Sequence, residues 1–445
     1  MDRVAGGRPI PGNQVELLYD GPQVYPAMLE RIATANRWIH LDNYIIRGDA
    51  TGRRFAAALA ERARAGVPVR VLTDWLGSFS TRRRFWNDLR AAGVEIRFFG
   101  PLDLWSLARN LTRDHRKILV VDGDRAVTGG LCLGDEWSGD GARGRHPWRD
   151  TGVAIDGPAA AMMDHAFAAV WNRLGTALPA NELASDVASR GPAAVRVLAG
   201  EPGGVRASRV MELLLAGASE RVWLTDAYLV APRGIYRGLL DAAQQGVDVR
   251  LLVPGTSDLP HVRNLTRTGY RDLLTAGVRI YEWRGPMLHA KTAVVDGRWV
   301  RIGSTNLNLS SLIANYEMDV LIDDVSFAQD LEAKFRRDMD ASAEVGLRPA
   351  RIFRDTLSFQ SPGATSEHHA PGLRERRRRT VIALRAVIGG SQRALFLQRV
   401  ISLALLGLLL IVFPEPTGLV IGIPALWVAL TSTVDVVRDR LRRPD

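Results

Sequence analysis

His115-Arg-Lys117-Ile-Leu-Val-Val-Asp122-Gly123 and His289-Ala-Lys291-Thr-Ala-Val-Val-Asp296-Gly297 are the two stretches on which the reading of this chain turns. Each joins β-branched and aliphatic residues to a closing Asp-Gly, which predicts a strand followed by a turn. On a strand, residues i and i+2 share a face. His115 and Lys117 therefore point one way, as do His289 and Lys291. The copies lie 174 residues apart and stay in register from His115 and His289, through Asp122 and Asp296, to Gly129 and Gly303.

Outward from these stretches the chain repeats itself. Arg37-Trp-Ile-His-Leu-Asp-Asn-Tyr-Ile-Ile46 resembles Arg221-Val-Trp-Leu-Thr-Asp-Ala-Tyr-Leu-Val230. Helical stretches follow at Gly52–Ala65 and Arg233–Gln245, then strands at Gly66–Leu72 and Gly246–Leu252. A further helix in each half ends in Ala-Gly and leads to a short strand, Gly93–Ile96 and Gly277–Ile280. Strands alternating with helices of about 10 to 15 residues predict βα units and a mostly parallel sheet. A unit this long, present twice, is a duplicated domain and not a solenoid. The expected fold is α/β: two mixed sheets flanked by helices, one per half, related by a pseudo-twofold axis with the site between them. Residues 1–190 form the first half and 191–345 the second. The Ala-, Gly-, Ser- and Pro-rich text from Ala184 to Arg206 suits their connection, and Ser358–Gly372 has linker composition.

The residue types suit phosphodiester chemistry. An imidazole can attack phosphorus and carry the phosphoryl group covalently. A second imidazole, ordinarily titrating near pH 6.5, can protonate the leaving oxygen and later deprotonate the acceptor. Two lysines can hold the non-bridging oxygens as charge develops. This scheme needs no metal and no cofactor. One His-Lys pair would carry little weight, because a lone strand histidine is more often structural. Two pairs in register, each followed by glycine at a fixed distance, are not chance.

The duplicated HxKxxxxD pattern resembles the signature of the phospholipase D superfamily. Ile302-Gly-Ser304-Thr-Asn306 and Asn315-Tyr-Glu317 match its GSxN and NxE elements. The resemblance implies that Ser304 and Asn306 line a phosphate pocket and that Glu317 hydrogen-bonds a catalytic histidine. Trp148-Arg-Asp150-Thr resembles the first-half carboxylate motif, which makes Asp150 a candidate histidine partner. Gly129-Gly130 stands where the second half has Gly303-Ser304, and Cys132 where the family usually has Asn. From about Gly12 to Met339 the chain is similar to bacterial cardiolipin synthases, in the branch without N-terminal membrane helices. A duplicated phospholipase D-type domain is thereby implied. So is transfer of a phosphatidyl group, with phosphatidylglycerol as donor and acceptor, His115 as nucleophile and His289 as acid and base. Lys117 and Lys291 complete the catalytic set, and Asp122, Asp296, Gly130, Asp150, Ser304, Asn306 and Glu317 support it. The rival readings are a hydrolase releasing phosphatidic acid, a nuclease of the same superfamily, and a membrane scaffold with a dead site.

Composition bears on those rivals. The net charge is +10, yet Arg374–Arg399 alone holds eight arginines and one acid, so +3 remains for the other residues. A nucleic-acid enzyme spreads its positive charge over the working face, and no nucleic-acid partner is expected here. After the basic segment, Glu415 is the lone charged residue between Val400 and Val434. Two apolar stretches flank Pro414-Glu415-Pro416, each near or below the roughly 20 residues of a full span. Residues 394–437 therefore predict an apolar membrane-associated helical hairpin, preceded by a linker and basic segment at 346–393. Arginines on both sides put both chain ends on the cytoplasmic side of a bacterial cell membrane, and the basic cluster attracts anionic headgroups. The buried helical pair of a soluble dimer is the alternative. The polar first thirteen residues lack the apolar core of a secretory signal. The single cysteine, Cys132, excludes an internal disulfide and any cysteine-based metal cluster.

Weaker signals remain. Asp42 reads as a surface or strand-end residue. Gly100–Asn110 offers several apolar side chains for an acyl-chain entrance or a buried loop anchor. His40, His146, His165, His261, His368 and His369 lack motif context, and the eleven tryptophans are scattered.

Overall fold

The computed structural model describes residues 1–101, 110–140 and 144–348, with the backbone of 356–360. Most of Gly100–Asn110, the basic segment and the apolar hairpin lie outside the described residues. Among those described, no helix is long and apolar enough to cross a membrane.

The first half contributes β1 (Ile10–Tyr19), β2 (Ile39–Asn43), β3 (Val69–Asp74), β4 (Glu95–Phe99), β5 (Lys117–Val121), β6 (Arg125–Gly129) and β7 (Thr151–Asp156). The second contributes β8 (Ala193–Gly200), β9 (Arg221–Thr225), β10 (Asp248–Pro254), β11 (Arg279–Trp283), β12 (Thr292–Val295), β13 (Trp299–Gly303), β14 (Glu317–Asp323), β15 (Ser342–Arg348) and β16 (Thr356–Gln360). Outward from β1 the order is β7-β6-β5-β2-β3-β4; outward from β8 it is β14-β13-β12-β9-β10-β11-β15-β16. The strands β2, β3 and β4 are parallel to one another, as are β9, β10 and β11. The remaining pairs are antiparallel, so the sheet is mixed.

Two expectations are corrected. The two sheets are one: β1 pairs with β8 at Ile10–Val195 and Asn13–Ala193, across an irregularity, and joins all 16 strands. About a third of the small-residue text read as a connection is therefore sheet, because Ala194–Gly200 pairs with β14 and Ala193 with β1. Val195 and Val197 pack on one face of the strand and Leu198 on the other, a period-two arrangement that composition alone concealed. Beyond the second half, β16 also takes in the first residues of the stretch with linker composition.

The strand ladder also shifts the repeat. The sequence likeness sets Arg37 beside Arg221. In the sheet, Asp42 lies opposite Ile118, whereas Thr225 lies opposite Thr292. The counterpart of Asp42 is therefore Thr225, and that of Asn43 is Asp226, one residue off the textual match. Backbone bonds agree: Asp122 N–H donates to Trp38 O, and Asp296 N–H to Arg221 O. A one-residue slip turns every side chain to the other face, so the ladder decides what each residue meets.

Three apolar layers hold the halves. Ile118, Val120, Ala126, Val153 and Ile155 pack in one cluster with Val294, Val300, Ile302, Val320 and Ile322. This joint core presses β5–β7 against β12–β14. The opposite faces pack on helices, among them Ala50–Arg64, capped by the Asp49 carboxylate on Gly52 N–H at 2.9 Å. Strands β2 and β5 are buried at every position, as expected for strands covered on both sides. Each fully buried Val, Ile or Leu contributes about 1.5–3 kcal/mol, and a charge placed at Val320 would break the joint where both motif strands depend on it.

Candidate active site

His115 and His289 sit just ahead of β5 and β12, and each is anchored to the opposite half. His115 N–H donates to Tyr316 O at 2.9 Å, and Tyr316 N–H to Arg113 O at 2.9 Å. His289 N–H donates to Arg149 O at 2.7 Å, and Arg149 N–H to Met287 O at 2.9 Å. Tyr316 and Arg149 immediately precede the two carboxylates. The carboxylates are crossed as a result: His115 Nδ1 lies 2.9 Å from Glu317 Oε2, and His289 Nδ1 lies 2.8 Å from Asp150 Oδ2. Neither carboxylate serves the histidine of its own half.

The supports of the two carboxylates differ. Ser304 Oγ–H donates to Glu317 Oε2 at 2.5 Å and accepts from Met318 N–H at 3.0 Å. In the first half Gly130 has no hydroxyl, and a β-carbon there would stand 2.2 Å from Asp150 Oδ1. Trp137 Nε1–H donates to Asp150 Oδ2 at 3.1 Å instead, and Thr151 N–H to Oδ1 at 2.8 Å. The Trp137 and Trp148 rings stand 5.4 and 5.7 Å from the His289 ring.

Both lysines are buried and turn back to the carbonyl of their own histidine: Lys117 Nζ donates to His115 O, and Lys291 Nζ to His289 O. Lys117 Nζ is 5.1 Å from the Tyr44 ring and Lys291 Nζ 5.8 Å from the Tyr228 ring. Tyr44 also meets His115 edge-on at 4.9 Å, and Tyr228 meets His289 at 6.0 Å. Asn306 is buried, with Nδ2 3.4 Å from Ser311 Oγ. Cys132 is buried, and burial pushes its thiol up, against the pull of Lys117.

Electrostatics ties the halves into one site. Burial lowers the basicity of His115, with Lys117 and Lys291 adding to it and Glu317 opposing. Burial and then Lys291 push His289 down to about 3, against Asp150. Burial brings Lys291 down to about 8, with Lys117 adding and Asp150 opposing. Burial disfavours the charged Asp150 and Glu317, yet His289 and His115 in contact with them keep both below the usual carboxylate range. At neutral pH each imidazole is thus uncharged, donates Nδ1–H to its carboxylate and keeps the Nε2 lone pair free.

The aspartates of the motifs are not in this site. Asp122 and Asp296 close the far ends of β5 and β12, about 15 Å from the lysines at the usual strand rise. Asp122 accepts from Asn36, Arg37 and Trp38 N–H, and Asp296 from Ser219, Glu220 and Arg221 N–H. They tie the entries of β2 and β9 to the motif strands. Both have left-handed φ, 56° and 51°, ahead of Gly123 and Gly297, which are left-handed too; Asp-Gly is the pair that tolerates this turn.

Asp42 is fully buried, 2.9 Å from Arg116 Nη2, and so is not a surface residue. Arg116 stands between His115 and Lys117 and also clamps Asp114; the second motif has Ala290 there. His40 is buried between Asp164, at 2.6 Å, and Glu182, stacked on Phe167. Tyr44, Tyr228, Trp137 and Trp148 were not among the expected site residues. Tyr44 and Tyr228 were signalled by the repeated strand text and Trp148 by its place in the Trp148-Arg-Asp150-Thr motif; nothing set Trp137 apart from the other tryptophans. Among the described residues, no group of three or more His, Cys, Asp or Glu side chains is placed to hold a metal ion.

A family profile described as "Cardiolipin synthase, PLD-like domain" matches residues 28–138 and 212–339. The chain is 34% identical over 317 residues to a protein of Geobacillus thermodenitrificans named cardiolipin synthase, a match covering 70% of this chain and 63% of that one. It is 31% identical over 363 residues to the cardiolipin synthase of Alkalihalophilus pseudofirmus, covering 79% and 72%. The chain thus spans a little under two thirds of the Geobacillus relative. The crystal structure of the Haemophilus influenzae phosphatidylserine synthase has the same fold, with a TM-score of 0.59 at 16% identity over 73% of this chain and 86% of that one. The profile falls on both halves and takes in both His-Lys motifs, and with it the chain belongs to the family of cardiolipin synthase, phospholipase D-like domains.

Proposed function

We propose that this chain makes cardiolipin from two molecules of phosphatidylglycerol by way of a phosphohistidine. The observation that carries the reading is the crossed pair: two neutral imidazoles, each with Nδ1 held by a carboxylate of the other half, beside two buried lysines. His115 Nε2 attacks the phosphorus, and the bond from phosphorus to the glycerol oxygen breaks. His289 delivers the proton that the leaving glycerol takes. A hydroxyl of the second phosphatidylglycerol then gives its proton to His289 Nε2 as its oxygen attacks, and the phosphorus–nitrogen bond breaks. His115 suits the nucleophile because its ring is the more open, with 13% of the side chain exposed against 6% for His289. The negative phosphodiester offsets Lys117 and Lys291 and thereby raises His289 into a range where it can carry a proton. Ser304 and Asn306 border the phosphate site, with Gly130 leaving space for Asp150.

We further infer that the halves are copies of one phospholipase D-type unit related by a pseudo-twofold axis; the mirrored strand order outward from β1 and β8 supports it. Residues 1–190 and 191–345 are those units, 346–393 a linker and basic segment, and 394–437 an apolar hairpin on a bacterial cell membrane, both chain ends cytoplasmic. The apolar text between arginines supports this last part, and it concerns residues outside those described.

Incubating pure protein with phosphatidylglycerol and resolving the lipids tests the reaction. Cardiolipin with released glycerol is expected. Phosphatidic acid as the sole product would sink the synthase reading in favour of the hydrolase.

A further inference from the structure

Eleven large apolar residues among those described are exposed, and five of them gather at one end of the sheet. Phe79 follows the C-terminal end of β3, and Leu265 lies on the helix Pro260–Thr268 that follows β10. Leu309 and Ile313 lie in the turn after β13, whose last residues pair with the start of β12. Leu111 is four residues ahead of His115. Asn43, at the end of β2, pairs with Lys117, so the ends that carry these loops are the ends that carry the histidines and lysines. Backbone bonds knit the rim: Val230 N–H to Leu307 O at 3.2 Å, and Gly203 N–H to Ile313 O at 2.6 Å. The five side chains are 44–60% exposed. Behind Leu265 an apolar groove of about 140 Å³ runs between Leu229, Leu239 and Leu273. Beside Phe79 stand three consecutive exposed arginines, Arg82, Arg83 and Arg84.

Apolar side chains ringing a polar mouth mark an interaction surface. They sit on separate loops at that end. Arginines beside them match anionic headgroups, with their stems lying along apolar surface. We propose that this rim docks directly on an anionic lipid bilayer, so that the catalytic end enters the headgroup layer independently of the C-terminal tail. The choice of lipid as occupant rests on the phosphatidyl-transfer reading.

The chain supplies its own means of test. Cys132 is its one cysteine and is buried, so a single introduced surface cysteine takes a thiol dye alone. Full-length Phe79→Cys and Leu309→Cys, carrying an environment-sensitive dye, are mixed with vesicles of phosphatidylglycerol and phosphatidylethanolamine. A blue shift is expected at both sites, with none at Leu213→Cys on the outer helix Arg206–Gly217. Replacing Arg82, Arg83 and Arg84 together by Glu should raise the lipid needed for half the shift by about a hundredfold or more. Silent dyes at 79 and 309 while the chain sediments with vesicles, or an equal shift at 213, overturn the docking face. Dye shifts without cardiolipin formation overturn the reaction and leave the face standing; cardiolipin formation with silent dyes does the reverse.

Discussion

The two half-sites meet one requirement with different parts. Around His115 the carboxylate is Glu317, steadied by the Ser304 hydroxyl; around His289 it is Asp150, steadied by the Trp137 indole. Asp150 is one methylene shorter than Glu317, and its carboxylate fills the space that a side chain at 130 would take. Gly130 is therefore the consequence of a different support and not a worn copy of Ser304. What the chemistry demands is an acceptor on each Nδ1; which residue orients that acceptor is free to differ. The second half-site is also the more enclosed, ringed by Trp137, Trp148 and Tyr228, which is why its imidazole is pushed down to about 3.

The harshest break of this comparison is loss of an imidazole. His115→Ala should cut turnover by about 10⁴-fold or more and abolish covalent labelling from phosphatidylglycerol radiolabelled in the phosphate. His289→Ala should slow turnover by about 10²–10⁴-fold while labelled protein still forms in samples quenched with denaturant at alkaline pH, where the phosphorus–nitrogen bond survives. Label that survives His115→Ala and vanishes in His289→Ala would exchange the two roles.

Next come the crossed carboxylates. Glu317→Gln should fall with His115 in the labelling step, and Asp150→Asn should slow both labelling and release through His289, each by about 10²-fold or more, because an amide can hold the wrong tautomer. Single-turnover kinetics separates the two steps. If Asp150→Asn blocked labelling and Glu317→Gln did not, the crossing would not govern the chemistry.

Lys291 sets a pH limit. Its ammonium, brought down to about 8 by burial, loses its charge as pH rises through that value. The kcat/KM profile should therefore fall above about pH 8, tenfold per unit, whereas Lys291→Arg should flatten that limb at reduced activity. A flat profile to pH 10 in the unaltered protein would remove Lys291 from phosphate binding. The sign for stability is opposite: the unfolded lysine takes up its proton more readily, so this residue costs the folded state least above its unfolded value near 10.4.

Smaller effects sharpen the contrast between the supports. Ser304→Ala and Trp137→Phe should each lower kcat by about tenfold, the worth of one hydrogen bond to a charged group, the first in labelling and the second in both labelling and release. Smallest of all should be the effect of Asp122→Asn on turnover per folded molecule, with the cost seen in the thermal midpoint, because Asp122 touches backbone and not the site. A kcat loss at full stability would bring Asp122 back into the chemistry.

Both motifs, the βα order and the apolar runs were legible in the sequence because period, turn chemistry and spacing are local. His115, Lys117, His289 and Lys291 could be named from text for the same reason, and Ser304 and Glu317 through the resemblance of their stretches to the GSxN and NxE elements. The joining of all 16 strands through β1 and β8, the one-residue shift between β2 and β9, and the partnership of Asp150 with His289 were not. Each depends on which strand lies opposite which, and that is settled by how the joint core between β5–β7 and β12–β14 packs. The tryptophan beside Asp150 was hidden likewise, since one indole reads like another until a carboxylate is found within reach of its N–H. The sequence by itself determined the two His-Lys pairs and the strands that carry them. The tertiary structure decided the pairing across the halves, because only packing brings residues more than a hundred positions apart within hydrogen-bond distance.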